Sequence, residues 1–138
     1  MDFSEAIPFL EEQHNAIVTS IGPKGAAQAT IVRAGPYQGK MAFVVRGRTI
    51  KLKNLTRDPH CTVLTVKPDW SRYASVEGHA EIHSPANSDP EELRLLLRAA
   101  FAAAGGAHDN WDEYDRVMRE EQRSVVLVTP ERVYGRVS

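Results

Sequence analysis

Gly22-Pro23-Lys24-Gly25 constrains the fold more than any other feature of the chain. This glycine–proline cluster marks a turn. The run before it, Asn15-Ala16-Ile17-Val18-Thr19-Ser20-Ile21, reads as a strand. The run after it, from Ala26 to Ala34, reads as the partner strand, so the two form a hairpin. A chain whose first two strands form a hairpin starts its sheet with antiparallel pairing.

The same punctuation recurs downstream. Gly35-Pro36-Tyr37-Gln38-Gly39 reads as a second turn, leading into a strand from Lys40 to Val45. Its run Met41-Ala42-Phe43-Val44-Val45 is apolar throughout, as in a buried strand. Cys61-Thr62-Val63-Leu64-Thr65-Val66 is rich in β-branched residues and reads as another strand. After the loop Lys67-Pro68-Asp69-Trp70-Ser71, the stretch Tyr73 to Ile82 reads as a longer strand, with Gly78 marking a bulge or a close backbone approach. Arg123 to Thr129 is a closing strand, and Arg132-Val133-Tyr134-Gly135 its tail.

Helical signals are fewer. Ser4 to Glu12 is amphipathic, with Ile7, Phe9 and Leu10 on its apolar face and Pro8 tolerated in the first turns. The segment that starts at Arg46 reads as a strand ending in a turn, followed by a short helix that Pro59 stops. Asp89 before Pro90 starts a helix that carries Leu93, Leu96, Leu97 and Phe101 on one face and ends at Gly105-Gly106. Asp109 or Asn110 caps a last helix, Trp111 to Glu121. The sum is about six strands with a helical pair before the last. This pattern predicts one mainly β, α+β domain over residues 1–138, a six-stranded antiparallel barrel with peripheral helices. A doubly wound sheet would need regular strand–helix alternation, which the chain lacks.

Composition narrows the function. Hydrophobic content of 42% and charged content of 25% are those of a soluble globular protein. A net charge of -1 disfavours general nucleic-acid binding. The single cysteine, Cys61, permits no intrachain disulfide and fits a reducing compartment. The residues Met1 to Glu5 lack the basic and apolar regions of a secretory signal, and no apolar run spans a membrane. A cytoplasmic location is expected.

One local charge cluster stands out. Arg46, Arg48, Lys51, Lys53 and Arg57 place five cations within twelve positions, where a buried strand turns into a short helix. A helix N-terminus with free N–H groups and added cations makes a phosphate seat. The bland alternative is a solvated basic helix. The five histidines show no HExxH or CxxC-type ligand pattern, and only His79 and His83 share a predicted strand face, so no metal is expected. No GxSxG, Walker A or GxGxxG motif is present. Cys61 lies in an apolar strand and reads as core. With no obvious nucleophile or acid–base pair, any chemistry falls to a bound organic cofactor. Trp70, Tyr73 and Tyr37 lie on or near loops, where they line a pocket or simply pack.

Three passages carry a family resemblance: Arg48 to Pro59, Trp70 to Ala80, and Trp111-Asp112-Glu113-Tyr114 through Arg123 to Pro130 and Tyr134-Gly135. Their order and spacing resemble the split-barrel flavin-binding superfamily that includes pyridoxamine 5'-phosphate oxidase. The third passage most resembles the B group of deazaflavin-dependent oxidoreductases, which use coenzyme F420. The resemblance implies that Lys51 holds a cofactor phosphate, with Arg48, Thr49 and Asn54 as neighbours. Arg46, Lys53 and Arg57 are further cations suited to the acidic tail of F420. Thr30 and Val45 match positions flanking the ring system, reached through backbone groups, and Trp70 is a further candidate contact. Oxidases acting on vitamin B6 carry a C-terminal segment with a substrate-binding arginine and tryptophan. Here Arg136 is the one basic residue beyond Gly135, so that activity is not expected.

The resemblance implies an F420-dependent oxidoreductase that passes a hydride between reduced deazaflavin and an electron-poor small molecule, such as an enone, a quinone or a tetrapyrrole like biliverdin. The alternatives are an FMN-dependent oxidoreductase of the same fold, or a non-catalytic carrier of F420, flavin or tetrapyrrole. The proton donor is left open between Tyr37, Tyr73 and solvent, so no catalytic residue is assigned. Relatives imply a homodimer with cofactor sites between subunits. A barrel that binds single-stranded nucleic acid is disfavoured, because the basic segment holds no aromatic residue.

Overall fold

A computed structural model describes residues 1–138. Helix α1 spans Phe3–Glu12, and strands β1 (Asn15–Ile21), β2 (Ala27–Tyr37) and β3 (Lys40–Val45) follow. Helix α2 (Ile50–Arg57) leads to β4 (His60–Val66) and β5 (Tyr73–His83). Helices α3 (Pro90–Ala103) and α4 (Trp111–Glu120) precede β6 (Ser124–Arg136). The strands close into an antiparallel barrel in the order β1-β2-β3-β6-β5-β4, with β1 pairing β4 to complete the ring. The expected α+β barrel with peripheral helices is the observed architecture.

Side-chain alternation builds the core. Ala16, Val18 and Ser20 of β1 and Cys61, Val63 and Thr65 of β4 are buried, with more exposed residues between them. Helix α1 adds Ala6, Phe9 and Leu10 to this core, while Ile7 stays partly exposed at its edge. Each large buried side chain, such as Leu10 or Phe43, contributes roughly 1.5–3 kcal/mol. Strands β3 and β6 differ from β1 and β4. Met41, Phe43, Val126 and Val128 join the barrel core, whereas Ala42, Val125 and Leu127 pack in a second cluster with Leu93, Leu97, Ala100 and Tyr114 of α3 and α4. Burial of both faces explains why these two strands read as unbroken apolar runs.

Two boundaries differ from expectation. Gly35-Pro36-Tyr37 belongs to β2, where Gly35 pairs with Ala42 and Pro36 with Met41. The turn is only Gln38-Gly39, with φ of 49° and 80°, a two-residue hairpin turn of the primed type. Gly35 serves close packing instead: a Cβ there would lie 1.7 Å from the Ala103 carbonyl oxygen of α3. The expected closing strand and tail are likewise one strand, β6. It passes through Pro130 at a bulge opposite Glu77 and Gly78, where a missing N–H is tolerated. Gly78 is both a bulge position and a close approach, since a Cβ would lie 1.8 Å from the Thr129 carbonyl oxygen.

Candidate functional site

The junction between β3 and α2 is built by a tight turn. Gly47 lies against Gln122, where a Cβ would meet a backbone oxygen at 2.9 Å. Arg48 beside it adopts a left-handed backbone with φ of 66°. That conformation costs a non-glycine residue on the order of 1–2 kcal/mol. Thr49 then caps α2, its hydroxyl accepting the Leu52 N–H at 3.3 Å. The first helical bond runs from the Lys53 N–H to the Thr49 carbonyl at 3.1 Å. The N–H groups of Ile50 and Lys51 find no partner within the chain. Two donors and the positive end of the helix dipole therefore remain open at this turn.

The turn forms one side of a cleft of about 410 Å³. Ile31, Val32, Val44 and Val45 supply an apolar lining from β2 and β3. Ala100, Phe101, Ala104 and Gly106 line it from the end of α3, where small residues leave room. Its polar groups are Arg33, Arg46, Thr49, Lys51 and Arg123, with no carboxylate among the lining residues. Just outside, Glu121 accepts from Arg46 at 2.6 Å and from Arg123 at 3.1 Å. The Arg123 hydrogen bond, reinforced by Arg46, holds the Glu121 carboxyl below the usual range.

Lys51 makes no hydrogen bond or salt bridge. It is half-buried, and burial lowers its pKa from the ordinary 10.5, with Arg123 adding repulsion. One carboxylate thus serves two guanidiniums while a desolvated ammonium has none. An anion is the group that would satisfy Lys51, the open N–H pair and Arg123 together. Cys61, close to Lys51, contributes no nucleophile: burial pushes its thiol up to about 12, so it is neutral at physiological pH.

Residues 4–136 match the pyridoxamine 5'-phosphate oxidase family. The chain belongs to this family. Its fold is also that of several solved structures. A conserved hypothetical protein from Mycobacterium tuberculosis is 23% identical with a TM-score of 0.75, the alignment covering 99% of this chain and 85% of the other. An F420 reductase is 17% identical with a TM-score of 0.68, covering 92% and 94%. A heme binding protein from Mycobacterium smegmatis is 19% identical with a TM-score of 0.66, covering 96% of this chain and 51% of that one.

Within this family member, the cleft gathers four of the residues proposed from sequence: Val45, Arg46, Thr49 and Lys51. The others lie elsewhere. Arg48 is exposed on the turn, and Lys53 is exposed on α2. Asn54 is buried and points inward, its Nδ2 donating to Ser20 Oγ at 3.2 Å and to Gln28 Oε1 at 3.4 Å, while Arg57 donates to its Oδ1 at 2.9 Å. Thr30 sits in β2 next to the cleft residue Ile31, its buried hydroxyl without a partner. Trp70 is 78% exposed in the β4–β5 loop. Neither Tyr37 nor Tyr73 lines this cleft. Sequence reasoning missed Arg33, Arg123 and Phe101. Arg123 had a signal in its position just before the apolar run of β6, but its place beside Lys51 depends on β3 pairing with β6.

No helix is long and apolar enough to cross a membrane.

Proposed function

We propose that this protein is an F420-dependent oxidoreductase acting on an electron-poor small molecule such as an enone, a quinone or a tetrapyrrole. The observation that carries this reading is the unpaired, half-buried Lys51 beside two free N–H groups in a cationic cleft. When bound, F420 supplies a hydride and is left oxidised as the acceptor is reduced. Lys51, the Ile50 and Lys51 N–H groups and Arg123 hold the phosphate. Arg33 and Arg46 favour the acidic tail, which weights F420 over FMN. Ile31, Val32, Val44 and Val45 exclude water from the ring and orient it against the acceptor. The acceptor takes up its proton from solvent. A homodimer with cofactor sites shared between subunits completes the proposal, supported by Ile31, which lines the cleft and is 84% exposed.

The likeness to a heme binding protein supports a second reading, a non-catalytic carrier of a tetrapyrrole or flavin. Paired fluorescence titrations with F420 and FMN, followed by an acceptor screen with reduced F420, separate these. Tight F420 binding and acceptor-dependent oxidation are expected. Binding without turnover by any acceptor would establish the carrier, and preference for FMN would move the protein to flavin chemistry.

A further inference from the structure

A pair of histidines lies outside the cleft and shares no residue with it. His60 opens β4, and His79 is its direct cross-strand partner on β5. Their ring centroids are 4.5 Å apart, with planes inclined at 48°. Each ring is held at Nδ1 by a carboxylate from a different element. Asp58, the C-cap of α2, bonds His60 Nδ1 at 2.6 Å and also accepts the His60 backbone N–H at 3.1 Å. Glu131 of β6 bonds His79 Nδ1. The bulge brings it there: Gly78 pairs with Pro130 and Glu77 with Arg132, leaving Glu131 as the extra residue. With Nδ1–H donated to a carboxylate, the neutral ring keeps a free lone pair on Nε2. Both side chains are open to solvent, at 67% and 45% exposure.

We infer that His60 and His79 together chelate a borderline divalent cation, of the class of Zn²⁺ or Cu²⁺, through their Nε2 atoms. Imidazole suits these ions. A carboxylate on the far nitrogen fixes the tautomer and the ring orientation, as metal-binding histidines commonly require. No group of three His, Cys, Asp or Glu side chains converges as a metal site. The ion therefore takes two protein ligands and fills its remaining positions with water, which makes it exchangeable. The sequence pair His79 and His83 is not the pair used, since the histidine ring packed against His79 is that of His60.

The test is calorimetric titration of chelator-treated full-length protein with zinc chloride at neutral pH. One ion per chain is expected. His60→Ala and His79→Ala should each weaken binding at least about tenfold, Asp58→Asn by roughly 10–100-fold, and His83→Ala should leave it unchanged. Cu²⁺-loaded wild type should show nitrogen hyperfine coupling from two imidazoles in its electron paramagnetic resonance spectrum. Circular dichroism establishes that each variant is folded. Absence of saturable binding, or binding that persists in the doubly substituted His60→Ala/His79→Ala protein, would overturn the site.

Discussion

Lys51 is the residue on which the cofactor reading turns, because it is desolvated and has no anion of its own. Replacing it by alanine removes a charge-assisted contact worth about 1.5–3 kcal/mol. The expected result of Lys51→Ala is roughly 10–100-fold weaker F420 binding in a fluorescence titration, since about 1.4 kcal/mol is a factor of ten. The melting temperature should hold, because Lys51 bonds nothing in the free protein. A pH dependence follows from the same geometry. Phosphate binding needs the ammonium, whose pKa in the free protein lies below 10.5. Affinity is therefore full below that lowered pKa and falls as pH rises through it, before an exposed lysine would titrate. In Lys51→Ala this alkaline fall should vanish, and its persistence there would assign it to another group. The basic segment was legible in the sequence because cations at a helix start have local meaning, and the family resemblance singled out Lys51 within it. Arg33 and Arg123 were not, because each is an ordinary surface-type residue until a distant strand delivers it to the cleft.

At the scale of elements, α2 is held in place by a buried polar junction. Asn54 binds Ser20 and Gln28 of the β1–β2 hairpin and accepts from Arg57. Asn54→Ala leaves these groups short of partners in a buried setting, at about 1–3 kcal/mol. A lower urea midpoint is expected, together with weaker cofactor binding, whereas Lys51→Ala should affect binding alone. Equal stability of wild type and Asn54→Ala would show that the junction does not anchor the helix. The α3 contact is equally specific. Gly35→Ala places a methyl group 1.7 Å from the Ala103 carbonyl oxygen, so α3 must move. Since Ala100 and Ala104 line the cleft, this variant should lose both thermal stability and cofactor affinity. Two helix starts were readable in advance, since Asp89 and Asn110 cap as their residue types prefer, whereas the Thr49 cap of α2 emerged only in the structure. Gly35 was misread as a turn because a glycine pressed by a helix and a glycine in a turn look alike in one dimension.

For the whole molecule, the proposed homodimer makes the cleft a shared site, and Ile31 is the residue to challenge. Light scattering should return twice the 15.3 kDa chain mass. Ile31→Glu should shift it toward monomer and weaken F420 binding in parallel; a monomeric wild type that binds F420 fully would remove the dimer from the mechanism. The sequence by itself determined the antiparallel barrel, the capped starts of α3 and α4 and the cluster of cations after β3. Turn chemistry, caps and apolar runs act over a few residues, so they survive projection onto a line. Only the tertiary structure decided that Arg123 stands beside Lys51, that Asn54 faces inward, and that His60 meets His79. Those outcomes depend on strand register and on which face each strand buries. A shift of one residue in register turns a side chain to the other side of the sheet, and no local pattern specifies the register between strands far apart in the chain.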